Sequence, residues 1–185
     1  MIDDILLEAE EKMEKAIAVA REDFSTLRTG RVNPGMFAKI NVDYYGAPTP
    51  LNQLASFHAA DARMMLITPF DRGSTNAVEK AIRDSDLGVN PSTDGNVIRV
   101  VLPQLTEERR KEYIKVARHK AEEARVSIRS VRRTAKESLE KMKKDGDVGE
   151  DEVKRALTHL EEITHQQVEH VDEILQNKEE ELLEV

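Results

Sequence analysis

Nine cations, Lys111, Lys115, Arg118, Arg125, Arg129, Arg132, Arg133, Lys136 and Lys143, recur so that a helix would gather them into a stripe roughly 100° wide. A row of that kind can neutralise a row of phosphates. Arginine dominates its middle, and the planar guanidinium fork suits phosphate better than a merely solubilising charge requires. The alternative is a solvated face, helped by pairs within the helix such as Glu122 with the neighbours of Arg129, or Glu137 with Lys141. Against it, Arg125, Arg129, Arg132 and Arg133 have few acids near them in sequence. A second basic group comprises Arg28 and Arg31 of the run Arg28-Thr29-Gly30-Arg31, together with Arg109 and Arg110. Cations at a helix start are locally unfavourable, so Arg109 and Arg110 need another reason to be there. Two readings stand side by side: a helix end with favourable cations and a glycine cap, or an extension of the same basic surface.

The charge is segregated. Thr106 to Asp145 holds 14 Lys+Arg and 8 Asp+Glu, whereas the rest of the 185 residues holds 14 and 28, and the whole carries −8. A basic stretch in an acidic chain is the mark of nucleic-acid contact at a defined place. Catalysis finds no footing here. There is no Cys, which excludes disulfides and thiolate sites. The five histidines show no HExxH and no metal-ligand spacing. Neither a GK[ST] phosphate loop nor a GxSxG context occurs. The acidic N-terminus, Met1-Ile2-Asp3-Asp4, lacks a secretory core, and no apolar run approaches the roughly 20 residues that span a bilayer. The expectation is a cytoplasmic protein without catalysis, cofactor, metal or small-molecule substrate.

Three helices must position these cations. In the first, Ile2, Leu6, Ala9, Met13, Ala16, Ala20, Phe24 and Leu27 fall on one face, with Gly30 and Pro34 marking its end. The second opens after Pro103 with Thr106 as cap, and Asp145-Gly146-Asp147 breaks it. Its seam of Ile114, Ala117, Ala121, Ala124, Ile128, Val131, Ala135, Leu139 and Met142 nearly follows a heptad, and its alanines admit close partners. The third runs from about Gly149 through Val153, Ala156, Leu160, Ile163, Val171, Ile174, Lys178 and Leu182, with polar Gln167 at one seam position. Two of the helices would be on the order of 50–60 Å long, in an antiparallel bundle. The middle of the chain is different. Lys39 to Tyr45, Arg63 to Thr68 and Val97 to Leu102 read as strands, Gly46-Ala47-Pro48 as a turn, and Ser74 to Ser85 as a helix. The predicted fold is α+β: a three-helix bundle from residues 1–29 and 106–185, with a small α/β domain, residues 30–105, inserted between helices 1 and 2. The chain crosses between them twice, which makes a natural hinge.

Several stretches together resemble the bacterial ribosome recycling factors. They include Arg28-Thr-Gly-Arg-Val-Asn-Pro34, Tyr44-Tyr-Gly-Ala-Pro-Thr-Pro-Leu51, Ser85-Asp-Leu-Gly-Val-Asn-Pro91, Leu105-Thr-Glu-Glu-Arg-Arg110 and Ala124-Arg-Val-Ser-Ile-Arg-Ser-Val-Arg-Arg133. The similarity runs along the whole chain. It implies an L-shaped molecule comparable in size to tRNA that works on the post-termination ribosome. The bundle would contact 23S rRNA of the large ribosomal subunit, and elongation factor G, using its own GTP, would drive the subunits apart. Arg31, Arg110, Arg129, Arg132 and Arg133 inherit the family's rRNA-facing role. Arg109, Arg118 and Arg125 join them from the basic surface read above. Thr29, Gly30, Gln104 and Leu105 inherit the hinge, and a monomer is expected. Thr134 stands where the family often has an acid, and Val32 where it usually has Ala; neither removes a basic contact. A helical scaffold would explain the seams but neither the arginine asymmetry nor the inserted domain. A general RNA chaperone would explain the charge and predicts binding to unrelated structured RNA with little preference. An enzyme would need a site the sequence does not show.

Overall fold

The computed structural model describes residues 1–184. Five helices and six strands follow in order: α1 (Ile2–Ser25), α2 (Gly35–Ala38), β1 (Asn41–Tyr44), β2 (Ala47–Pro50), β3 (Ala55–Asp61), β4 (Met64–Pro69), α3 (Thr75–Arg83), β5 (Ser92–Asp94), β6 (Val97–Val101), α4 (Glu107–Lys144) and α5 (Glu150–Leu183). The fold is α+β, three long helices with a small sheet unit between the first two in sequence. By its internal contacts the chain forms two compact units. One comprises residues 1–24 and 115–178, the other residues 25–114 and the chain from Glu179 on.

In the helical unit the heptad-like spacing does what it predicts. Ala117, Ala121, Ile128 and Leu139 of α4 are completely buried, as are Met13 of α1 and Val171 of α5. Arg125 pairs with Asp172 and Arg132 with Glu161, so α5 runs back along α4. One groove is walled by Ala9 and Ala135 and another by Ala20 and Ala124, so α1 is also antiparallel to α4. The turn between α4 and α5 places Gly146 at φ +73. Asp147 N–H donates to Met142 O and Gly146 N–H to Lys143 O, which closes the last turn of α4 by a left-handed cap that glycine adopts without penalty. Asp151 and Glu152 then sit on the positive end of α5. Two details depart from the spacing argument. Ile17 is buried where Ala16 is only partly so, and Thr164 is buried, its hydroxyl donating to Leu160 O at 2.7 Å.

The other unit is built on antiparallel pairing throughout, in the order β3-β4-β6-β5 with a separate β1-β2 hairpin. Residues alternate between buried and exposed along β6 as they must when one face meets a core. That core gathers Phe37, Val42, Leu51, Met65, Ile67, Ile98 and Val100, roofed by Val78 and Ile82 of α3. Strands β2, β3 and β5 escape the sequence reading. The first carries two prolines, the second ends in exposed residues, and the third has no buried residue. The anticipated turn at Gly46-Ala47-Pro48 is the tip and second strand of the hairpin instead. Its two-residue loop puts Tyr45 at φ 50 and Gly46 at φ 85, the handedness such hairpins need. Asp71 holds the strained residue, accepting from Tyr45 Oη at 2.8 Å and Tyr44 Oη at 3.3 Å.

Helix α1 stops at Ser25, short of the expected end at Gly30. There the backbone of Gly35 closes on the helix end: a Cβ on Gly35 would lie 2.6 Å from Ser25 O. Leu27 stays buried although it is no longer helical, so the apolar register outlasts the helix.

Candidate nucleic-acid interface

Helix α4 carries the basic row. Its start is capped by Thr106, whose hydroxyl accepts from Arg109 N–H at 3.1 Å, and Glu107 and Glu108 occupy the first turn. Because the alanine-rich seam faces the other helices, the cations flank the packed side, and α5 acids come within reach of some of them. Arg125 is the clearest case. Its Nε and Nη2 donate to Asp172 Oδ1 at 2.8 and 2.6 Å, and its Nη1 donates to Glu122 Oε2 at 3.1 Å. Its side chain is only 18% exposed. Burial acts to lower its affinity for the proton, but the hydrogen bonds to Asp172 and Glu122 hold it above the ordinary arginine value. Arg132 donates from Nη1 to Glu161 Oε1 at 2.8 Å, and its Nε is buried without a partner. Arg129 lies 3.6 Å from the second oxygen of Glu122 and is exposed. Arg118 and Arg133 are exposed, and Arg133 forms no ion pair among the described residues.

Few acids stand near these arginines in sequence, yet folding supplies them from the opposite helix. The row therefore divides. Arg125 is a strut between helices, Arg132 is half strut and half surface, and Arg118, Arg129 and Arg133 form the outward face.

The second basic group lies in the sheet-containing unit, around the segment 102–105. Arg28 is 7% exposed and donates from Nη2 to Pro103 O at 2.6 Å. Arg63 Nε donates to Leu102 O at 3.0 Å, and Arg110 Nη2 to Leu105 O at 3.3 Å. Three guanidiniums thus satisfy three carbonyls that no strand or helix pairs. Burial pulls the Arg28 proton affinity down, and the charges of Arg109 and Arg63 pull the same way, while the hydroxyl of Tyr113 opposes them. Only Arg28 Nε and Arg110 Nε in this group are buried without an acceptor.

The residues expected to hinge, Thr29, Gly30, Gln104 and Leu105, lie in this same unit, in or beside that segment. Thr29 is buried, its hydroxyl bridging Arg31 O and Arg31 N–H at 3.0 and 3.2 Å. Leu105 is buried and Gln104 is exposed. Glu184 O would lie 3.5 Å from a Cβ on Gly30, and its carboxylate is 3.6 Å from Arg31 Nε. Arg109 is exposed and 3.6 Å from Glu112. Sequence reasoning found Glu122 as a partner within the helix but missed the roles of Arg63, Glu161 and Asp172. Helical spacing marks Glu161 and Asp172 only as part of a solvated face, since their partners lie 29 and 47 residues away.

A family model described as ribosome recycling factor matches residues 20–183. The chain belongs to the ribosome recycling factor family. It is 68% identical over 185 residues to the ribosome-recycling factor of Acidothermus cellulolyticus, covering 100% of both chains. The corresponding protein of Kineococcus radiotolerans is likewise 68% identical over the same full extent. A solution structure of the ribosome recycling factor matches with a TM-score of 0.76 at 38% identity, covering 100% of this chain and 98% of that one. A model of the T. thermophilus ribosome recycling factor, described with E. coli elongation factor G bound to the E. coli post-termination complex, matches at a TM-score of 0.70 and 41% identity over 100% of both chains. The family makes this a protein of translation and the ribosome, the setting for which an arginine row on an acidic molecule is suited. Among the described residues no His, Cys, Asp and Glu grouping could hold a metal, and no helix is long and apolar enough to cross a membrane.

Proposed function

We propose that the protein acts in the cytoplasm as a monomer on the post-termination ribosome. It seats its helical bundle on 23S rRNA of the large subunit and, with elongation factor G and GTP, promotes subunit separation and release of mRNA and tRNA. The observation that carries this reading is the outward guanidinium face of Arg118, Arg129 and Arg133 on a chain whose net charge is −8. Phosphates attract that face, while the acidic remainder repels arbitrary RNA. Arg132 contributes its outer edge, and Arg31, Arg109 and Arg110 contact rRNA as well. The factor itself performs no chemistry; GTP is spent by its partner. The relative described with elongation factor G on a post-termination complex supports the same setting for this chain.

The bundle comprises residues 1–29 and 106–185 in this reading, and residues 30–105 form the domain that swings on Thr29-Gly30 and Gln104-Leu105. Light scattering on post-termination ribosomes, with and without elongation factor G and GTP, tests the activity. Splitting that needs both is expected. Binding to large subunits that ignores salt would overturn the phosphate contact, because each neutralised phosphate should steepen the salt dependence.

A further inference from the structure

The acids of α5 face the arginines of α4, and their effect on RNA binding has a sign that geometry and charge counting predict oppositely. Counting charge, Asp172 and Glu161 cancel two cations of the row and weaken its hold on phosphate. By geometry, they build it. Arg125 spends Nε, Nη1 and Nη2 on Asp172 and Glu122, so it has little left for an outside ligand. What it does instead is fix Glu122, whose other oxygen faces Arg129 Nη1 at 3.6 Å. The relay from Asp172 through Arg125 and Glu122 therefore ends on an exposed guanidinium. Glu161 acts more directly: it takes Arg132 Nη1 while Arg132 Nε is turned into the helix packing, and only the outward edge of the fork stays open. A free arginine side chain loses rotamer freedom when it grips a phosphate, and a held one has lost it already.

We propose that Asp172 and Glu161 are positioning residues that set the direction of Arg129 and Arg132, and that they confer preference for one RNA surface over unrelated RNA. The proposal rests on the ribosomal reading above. It makes the acidic helix a working part of the basic surface rather than its repelling background.

The test is binding of the full chain to purified large ribosomal subunits and to an unrelated RNA hairpin, at several salt concentrations. Glu161→Gln and Asp172→Asn each remove a negative charge. The expected result is that each weakens large-subunit binding by about fivefold, the scale of one oriented ion pair, while hairpin binding holds or tightens. Glu161→Asp and Asp172→Glu should restore most of the loss. Unchanged or tighter binding to the subunits would overturn the proposal, because bare charge would then account for everything. The Glu161 carboxylate is 58% exposed, so Glu161→Gln keeps the test valid even if Asp172→Asn disturbs the fold. Arg133→Ala separates the two claims. If it leaves large-subunit affinity untouched, the ribosomal reading of this face fails and the proposal falls with it. If it weakens binding while Glu161→Gln does not, the positioning claim alone is wrong.

Discussion

Arginine serves two opposite purposes in this molecule. Around residues 102–105 the guanidiniums of Arg28, Arg63 and Arg110 cap backbone carbonyls. On the middle of α4, Arg129 and Arg133 are exposed, Arg129 with Glu122 at 3.6 Å and Arg133 without an ion pair among the described residues. A capping arginine takes the place of a secondary-structure hydrogen bond, so its loss leaves a backbone carbonyl without its protein partner. An outward arginine has water as its alternative partner, so its loss costs the fold little and costs ligand binding directly. Arg125 stands between, outward on its helix but wholly engaged by Asp172 and Glu122.

Substitution should separate these uses by the property each one moves. The largest effect is expected at Arg28. Arg28→Ala removes the partner of Pro103 O and leaves a void where a largely buried side chain packed, and should lower the unfolding free energy by about 2–3 kcal/mol in denaturant melts. A loss below about 0.5 kcal/mol would erase the contrast with the outward group. Arg125→Ala comes next. In a double-mutant cycle with Asp172→Ala, the coupling should be about 0.5–1 kcal/mol, since the side chain is largely shielded; a coupling of zero would return Arg125 to the outward class. Arg133→Ala should change stability by less than about 0.5 kcal/mol, yet flatten the slope of log affinity for large subunits against log salt by about 0.7–0.9. A stability loss without a slope change would invert the assignment.

The smallest effect concerns a carboxylate that holds phenols rather than a guanidinium. Hydrogen bonds from Tyr45, from the Gly73 backbone and from Tyr44 keep Asp71 below the usual carboxylate range. Depression means that the stabilisation is complete above the ordinary aspartate value and disappears as pH falls through the lowered one. Acid titration should therefore release the Tyr45 hydroxyl late, with a midpoint below that of a free aspartate. With 3 Tyr and no Trp, tyrosine emission reads the event, and Asp71→Asn should abolish the acid step. A midpoint at the ordinary value would remove the hydrogen bond as the brace of the strained hairpin tip.

Much of the fold was legible because periodicity is a local property. The steps of the α4 seam identify its buried face, and Gly146 marks its end. Strands β4 and β6 show in their apolar runs, and α3 in Val78 and Ile82. Edge strands β3 and β5 were illegible for the converse reason: they present too little buried surface to pattern the residues. The end of α1 was misplaced because it depends on Gly35, ten positions further along, approaching the helix terminus.

Types and spacings along the chain were enough to establish an acidic molecule with one basic helix, the seams of three helices, and a family assignment through RTGR, YYGAPTPL and LTEERR. Spacing cannot say which cations are spent inside the protein, because an ion pair depends on through-space distance. Asp172 is 47 residues from Arg125 and Glu161 is 29 from Arg132. Folding α5 back along α4 brought those pairs together, buried Arg28 against a carbonyl 75 residues away, and so sorted one uniform set of arginines into struts, caps and an outward face.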